Sequence, residues 1–198
     1  AQTLITSKGL TAEVDLPQAF PETIIIDKQR LIQVVLNMVS NAVKFTDKGK
    51  VMLSISIHPA HINKSELERP DHMLAHSTEK PKHPHSPITG SEGGISEAFL
   101  RIEISDSGPG MTQEKLNKLF TRPTQTKSNK GSRLKLGLSL WVTKRILEAM
   151  QGSIQLYSEV GKGTTVVIII SCQLENPCRS FTTLTLPSAD RIFVPKDK

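Results

Sequence analysis

The apolar patterning of this 198-residue chain predicts an α+β fold, a two-layer sandwich with a mixed sheet and helices packed on one face. Three observations carry that expectation. Several short segments alternate apolar and polar residues with the period of a half-buried strand. Two longer segments, 28–45 and 136–150, repeat apolar residues at helical spacing. Turn chemistry separates strands from helices throughout, so helices and strands interleave in one domain rather than forming separate blocks.

Leu10, Ala12, Val14 and Leu16 alternate with polar neighbours and predict a half-buried first strand. Pro17 and Pro21 turn the chain, and Ile24-Ile25-Ile26 predicts a short buried strand. Asp27 is a natural N-cap for the helix over 28–45, whose apolar stripe is Leu31, Val34, Val35, Met38, Ala42 and Phe45. Asp47-Lys48-Gly49 is a turn, and Val51, Leu53, Ile55 and Ile57 alternate as the next strand. From 58 to 97 the chain holds Pro59, Pro70, Pro81, Pro84, Pro87 and all six histidines with little periodicity, and a flexible insertion is expected there, with one amphipathic turn near 65–74. Leu100, Ile102 and Ile104 form a strand that delivers Asp106, and Thr112 caps a helix ending at Phe120. The helix over 136–150 is closed by Gly152 and buries Trp141, Ile146 and Leu147. Ile154 and Leu156 open a strand, 159–163 is a hairpin turn, and 166–170 is a buried β-branched strand. Residues 1–175 thus form one domain, and 176–198 a linker or tail.

Composition narrows the function. A formal charge of +6 and 37% hydrophobic residues describe a basic protein with a real core. Trp141, Tyr157 and six Phe are not interleaved with basic residues as a base-stacking platform requires, so no nucleic-acid partner is expected. Cys172 and Cys178 form no CxxC pattern, which argues against a zinc site or a disulfide framework. No apolar run approaches membrane-spanning length, so this segment is expected to make no membrane contact. The chain opens in mid-pattern, as a segment excised from a longer protein would. His72 and His76 are spaced for chelation on a helix, yet no Cys or carboxylate pair completes a metal site around them.

The chemistry lies in two blocks. LNMVSNAVKFT (36–46) sets Asn37 and Asn41 four apart, on one side of a helix. An Asn amide oxygen is a neutral, hard ligand suited to Mg²⁺. The acidic glycine loop Asp106-Ser107-Gly108-Pro109-Gly110 ends an apolar strand. Together they point to a nucleotide site with a metal.

In order and spacing, these blocks resemble the ATP-binding catalytic domain of sensor histidine kinases, within the superfamily shared with Hsp90, DNA gyrase B and MutL, over about residues 9–174 without the insertion. DKQRLIQVVLNMVSNAVKFT (27–46) is similar to the family's N box, DSGPG (106–110) to its first glycine box, and GKGTT (161–165) to its third. The resemblance implies the Bergerat-type ATP-binding fold, with ATP and Mg²⁺ as cofactors. It makes Asn41 the Mg²⁺ ligand, Asn37 a neighbouring polar group of the pocket and Lys44 a phosphate contact. Asp106 would accept from the adenine amino group, with Gly108 and Gly110 letting the backbone approach the base and Thr164 completing the nucleotide contacts. The superfamily's ATPases carry Glu where this chain has Asn37; Asn cannot act as general base, so the resemblance favours a phosphotransferase over an ATPase.

The second glycine box departs from the pattern. Where GTGLGLS is expected, the chain has Arg133-Leu134-Lys135-Leu136-Gly137-Leu138-Ser139, so Gly137 and Leu138 remain but Arg133 and Lys135 replace two glycines. Side chains there cost on the order of 1 kcal/mol each if the backbone must be left-handed. As cations they can instead contact phosphate directly; no acidic residue occurs over 121–135. KLFTRPTQTKS (118–128) and the insertion resemble plant ethylene receptors. That resemblance implies a cytosolic kinase domain of an endoplasmic-reticulum or other membrane-anchored receptor, homodimeric in full length. Its partners would be the receptor's own dimerisation and phospho-acceptor domain and a response regulator or receiver domain. The alternative is a degenerate pseudokinase that serves as an interaction module.

Overall fold

The computed structural model describes residues 2–17, 20–21, 23–74, 95–119 and 131–175. The elements in chain order are α1 (Gln2–Lys8), β1 (Thr11–Asp15), β2 (Thr23–Ile25), α2 (Lys28–Phe45), β3 (Lys50–Pro59), the single turns α3 (Lys64–Leu67) and α4 (Asp71–Leu74), β4 (Ile95–Asp106), α5 (Gln113–Leu119), α6 (Gly131–Ala149), β5 (Ser153–Glu159) and β6 (Gly163–Glu175).

All six strands form one mixed sheet. β1 runs parallel to β3, β3 antiparallel to β4, and β4 antiparallel to β6. On its other side β6 pairs antiparallel with β5 and, at its far end, with β2. The long pair β4–β6 is the spine, and its register sets Asp106 opposite Thr164 at the sheet's end.

The expected sandwich is present. α2 and α6 cover one face, where Val34, Met38, Ala42 and Val43 of α2 and Leu140 and Leu147 of α6 meet Leu100, Ile102 and Ile104 of β4 and Val166, Ile168 and Ile170 of β6. Each fully buried Leu, Ile or Val there contributes about 1.5–3 kcal/mol of apolar transfer. α2 forms where the sequence indicates: the Asp27 side chain accepts from the Arg30 N–H at 3.0 Å, filling one of the first turn's unpaired donors. Its other end is closed by a contact from far along the chain. Lys8 Nζ donates to the carbonyls of Val43, Lys44 and Thr46 at 3.2, 2.9 and 3.0 Å and to Asp47 Oδ1 at 3.1 Å. A cation thus sits on the negative end of the helix and satisfies its last carbonyls.

Several expectations need correction. Among the described residues β1 is an exposed edge strand, with Val14 56% exposed, because it pairs only with β3 and no described element covers it. β2 is likewise marginal, and Ile25 is 41% exposed. α1 had no readable signal in its short sequence. α6 begins at Gly131, so the backbone at Arg133 and Lys135 lies inside a right-handed helix. Its C-terminus is turned by Gln151 in the left-handed conformation (φ 56°), not by Gly152. Gly152 is needed for closeness instead, since a Cβ there would lie 2.8 Å from the Ile169 carbonyl oxygen. Leu147 is fully buried and Ile146 packs on the core, but Trp141 is only half-buried, with the Arg145 guanidinium 5.5 Å from its ring. Of the expected insertion 58–97, residues 58–74 and 95–97 are described; β3 and β4 reach into it, and the rest lies outside the described residues.

The sheet's other face is also covered. Alternation along β4 sends Phe99, Arg101 and Glu103 away from the helices, yet Arg101 and Glu103 are buried. The segment after β3 folds over them: Ile62, Leu67, Phe99 and Tyr157 pack on Val167 and Ile169. Arg101 Nε donates to the Leu67 carbonyl at 2.9 Å, and its Nη2 donates to the Arg69 carbonyl at 2.8 Å and to Glu103 Oε2 at 2.5 Å. Asp71 adds a second carboxylate at 3.1 Å. Cys172, buried in the core with its thiol pushed up to about 11 by burial, donates to the Ala98 carbonyl and is a packing residue.

Candidate functional site

Asp106 ends β4, where the chain leaves the sheet in the loop 106–110. Its Oδ1 accepts from the Gly108 N–H at 2.9 Å, an Asx-type turn that Asp-Ser-Gly favours. Burial raises the Asp106 carboxyl above its ordinary pKa; the backbone N–H groups of Gly108 and Thr164 and the nearby Thr46 hydroxyl pull it the other way. Thr46 itself is fully buried, and among the described residues its Oγ1 has no hydrogen bond of good geometry, its nearness to Asp106 aside. A buried hydroxyl beside a partly desolvated carboxylate marks this end of the sheet as a candidate binding floor.

The loop is seated on the β5–β6 hairpin through its glycines. Gly161 N–H donates to the Pro109 carbonyl at 2.8 Å, and Met111 N–H to Ser158 Oγ at 2.8 Å. Gly110 (φ 66°) and Gly163 (φ 112°) are both left-handed. A Cβ on Gly110 would collide with the Glu159 carbonyl, and one on Gly163 with the carbonyl of Asp106. Gly161 (φ 82°) has open space around it and serves the turn alone. Gly163 therefore does more than form the hairpin: it lets β6 approach the backbone of the acidic residue. At Gly108 an added Cβ would lie 2.8 Å from Asp106 Oδ1 and 3.2 Å from Thr46 Oγ1, so that glycine keeps the floor open.

Asn37 and Asn41 face α6 from α2. Asn37 Nδ2 donates to Thr143 Oγ1 at 2.6 Å and to the Ser139 carbonyl at 3.2 Å, while its Oδ1 accepts from Ser139 Oγ at 2.5 Å. Asn41 Nδ2 donates to Ser139 Oγ at 3.2 Å, and no hydrogen bond from the described residues reaches its Oδ1. That oxygen is the atom left for an external ligand. Among the described residues no group of three His, Cys, Asp or Glu side chains could cage a cation. The donor set thus fits a cation that retains its waters and takes few protein ligands, as Mg²⁺ does.

Lys44 is exposed, its Nζ 5.3 Å from the Phe45 ring centroid. Leu138 is 52% exposed and lines a cleft of about 390 Å³ between α2 and α6, together with Gln33, Asn37, Val142 and Ile146. Arg133, Lys135 and Gly137 lie on α6; the side chains of Arg133 and Lys135, like that of His72, fall outside the description, and His76 lies outside the described residues. Sequence reasoning brought Asn37, Asn41, Asp106 and the glycines forward but missed Ser139, Thr143 and Thr46. The signal for Ser139 and Thr143 was a four-residue polar spacing on α6 facing the asparagines' own four-residue spacing.

Comparison with known proteins gives the chain its relatives and its family. The Hybrid signal transduction histidine kinase B of Dictyostelium discoideum is 27% identical over 186 residues, which is 93% of this chain but 8% of that protein's length. Two solved structures share the fold. ShkA, full-length in complex with AMPPNP, aligns over 85% of this chain and 27% of its own at 24% identity, with a TM-score of 0.54. The mycobacterial sensor histidine kinase MprB aligns over 87% of this chain and 89% of its own at 18% identity, with a TM-score of 0.51. Residues 71–174, just over half of the chain, match the family described as histidine kinase-, DNA gyrase B- and HSP90-like ATPase, and the chain belongs to that family.

Proposed function

We propose that the chain is the ATP-binding catalytic domain of a hybrid-type sensor histidine kinase. It would transfer the γ-phosphoryl of ATP to a histidine on the dimerisation and phospho-acceptor domain of the same protein, releasing ADP. From there the phosphoryl group would pass to a response regulator or receiver domain. The observation that carries this reading is the floor of the site: a partly desolvated Asp106 carboxylate beside a glycine-lined loop, with the Asn41 carbonyl oxygen uncommitted on the facing helix.

In this reading Asp106 accepts from the adenine amino group, and Gly108, Gly110 and Thr164 line the base. Asn41 Oδ1 is the protein ligand for Mg²⁺, which when bound would neutralise charge on the phosphates. Lys44, Arg133 and Lys135 are cations for the phosphates, with Gly137 and Leu138 at the lid. Asn37 supports transfer over hydrolysis, because its amide has no proton-accepting role toward water and is already engaged by Ser139 and Thr143. KLFTRPTQTKS (118–128) supports an ethylene-receptor-like parent, a homodimer anchored in the endoplasmic-reticulum or another membrane with this domain on the cytosolic side. The 1–175 domain and 176–198 tail belong to the same proposal.

A second reading is favoured by one feature. The backbone at Arg133 and Lys135 is helical where the family uses a glycine loop, which supports a pseudokinase acting as an interaction module. Calorimetric titration of ATP with and without Mg²⁺, beside Asp106→Asn, separates the two. The kinase reading expects Mg²⁺-assisted binding by the parent chain and a loss of about 10- to 100-fold in the variant, the worth of one hydrogen bond to a charged group. No binding by the parent chain would leave the interaction module.

A further inference from the structure

Asn37, Asn41, Ser139 and Thr143 form a small network in which both hydroxyl protons and both Asn37 amide protons have acceptors. Thr143 Oγ1 donates its one proton to the Ser139 carbonyl at 3.0 Å, four residues back on α6. It can therefore only accept from Asn37 Nδ2. This fixes the Asn37 amide with its nitrogen toward Thr143 and its oxygen toward Ser139. The Ser139 hydroxyl gives its single proton to that oxygen, and so it too can only accept at its remaining position. The group offered there is Asn41 Nδ2. The Asn41 amide is thereby set with its nitrogen inward and its carbonyl oxygen outward.

We propose that Ser139 is a positioning residue: with its proton held by Asn37, its hydroxyl locks the Asn41 amide in the one orientation that presents Oδ1 to a divalent cation. The inference rests on the nucleotide-site reading above. An Asn amide is nearly symmetric in shape, and a half-turn about its last bond would present an N–H to the cation in place of a carbonyl. The two orientations differ only through hydrogen bonding, which Ser139 supplies. The device also joins Asn41 on α2 to α6.

The test compares Ser139→Ala, Ser139→Thr and Thr143→Val with the parent chain, titrating ATP with and without Mg²⁺ by calorimetry. Loss of a group that orients a metal ligand costs about 10- to 100-fold in metal affinity. Ser139→Ala should lose Mg²⁺-dependent affinity in that range while metal-free ATP binding changes little, and Ser139→Thr should restore it. Thr143→Val removes one acceptor of Asn37, but Asn37 Nδ2 keeps the Ser139 carbonyl and Asn37 Oδ1 keeps the Ser139 hydroxyl, so the Ser139–Asn41 bond stays and the effect on Mg²⁺ dependence should be smaller. Equal losses in both variants would reduce Ser139 to a helix-packing role and overturn the proposal, as would an unchanged Ser139→Ala. A parent chain that binds no ATP overturns the nucleotide reading instead. NMR of the ligand-free protein then still decides the positioning claim. Exchange-protected Asn37 and Asn41 side-chain amides that lose protection in Ser139→Ala support it, and unprotected amides in the parent chain contradict it.

Discussion

Burial raises the Asp106 carboxyl above the ordinary carboxylate pKa, against hydrogen bonds that lower it, so at neutral pH the folded chain carries a charge it would hold more easily unfolded. The sign follows from linkage. A carboxyl whose folded pKa is raised contributes stability below its unfolded value of 3.8, and that contribution is lost as pH rises through the folded pKa. Asp106→Asn should therefore raise the melting temperature at pH 7, with the gain shrinking toward pH 4, while nucleotide affinity falls. Thermal melts of both proteins across that pH range check it; a variant less stable at pH 7 would contradict it. At this scale the sequence was most legible where a side chain's chemistry is unusual for its place. Two asparagines four apart on one side of an amphipathic helix and an acid ending an apolar run stand out. Ser139 and Thr143 did not, because a serine and a threonine on an amphipathic helix look like ordinary polar positions until the facing helix is known.

Among the elements, α2 was legible at both ends, from Asp27 to the turn at Asp47, because its cap and its apolar stripe are local. The contact that closes its C-terminus was not, since Lys8 lies 35 or more residues away from the carbonyls it meets. Lys8→Met, which keeps the apolar stem, should destabilise the domain by about 1–2 kcal/mol through the lost carbonyl contacts at the helix end. The ion pair with Asp47, whose side chain is 92% exposed, should account for little of this. Urea unfolding with Asp47→Asn alongside separates the two contributions. The edge strands β1 and β2 show the opposite limit. Their alternation is real, but alternation does not say whether a layer exists to cover it, and among the described residues none covers Val14 or Ile25.

At the scale of the whole molecule, the two-layer sandwich followed from periodicity, but the covering of the second sheet face did not. Arg101 and Glu103 look like solvent-facing positions of a half-buried strand; what buries them is a proline-bearing segment whose signal was one short amphipathic turn near 65–74, with nothing to say which face it would cover. Arg101→Leu should cost about 3–5 kcal/mol, because it leaves the Glu103 carboxylate buried and unpaired. Adding Glu103→Leu should recover part of that loss, with the Leu67 and Arg69 carbonyls still short of a donor. Denaturant midpoints of the single and double variants check the order. The central claim is that the Asp106 end of the sheet is an adenine site, and one competition experiment tests it most directly. Displacement of a fluorescent ATP analogue from the intact chain, with Mg²⁺ present, should be achieved by ATP at concentrations on the order of 10- to 100-fold below those of GTP, because the carboxylate accepts from an amino group that guanine replaces with an oxygen. Equal displacement by both nucleotides would contradict the account.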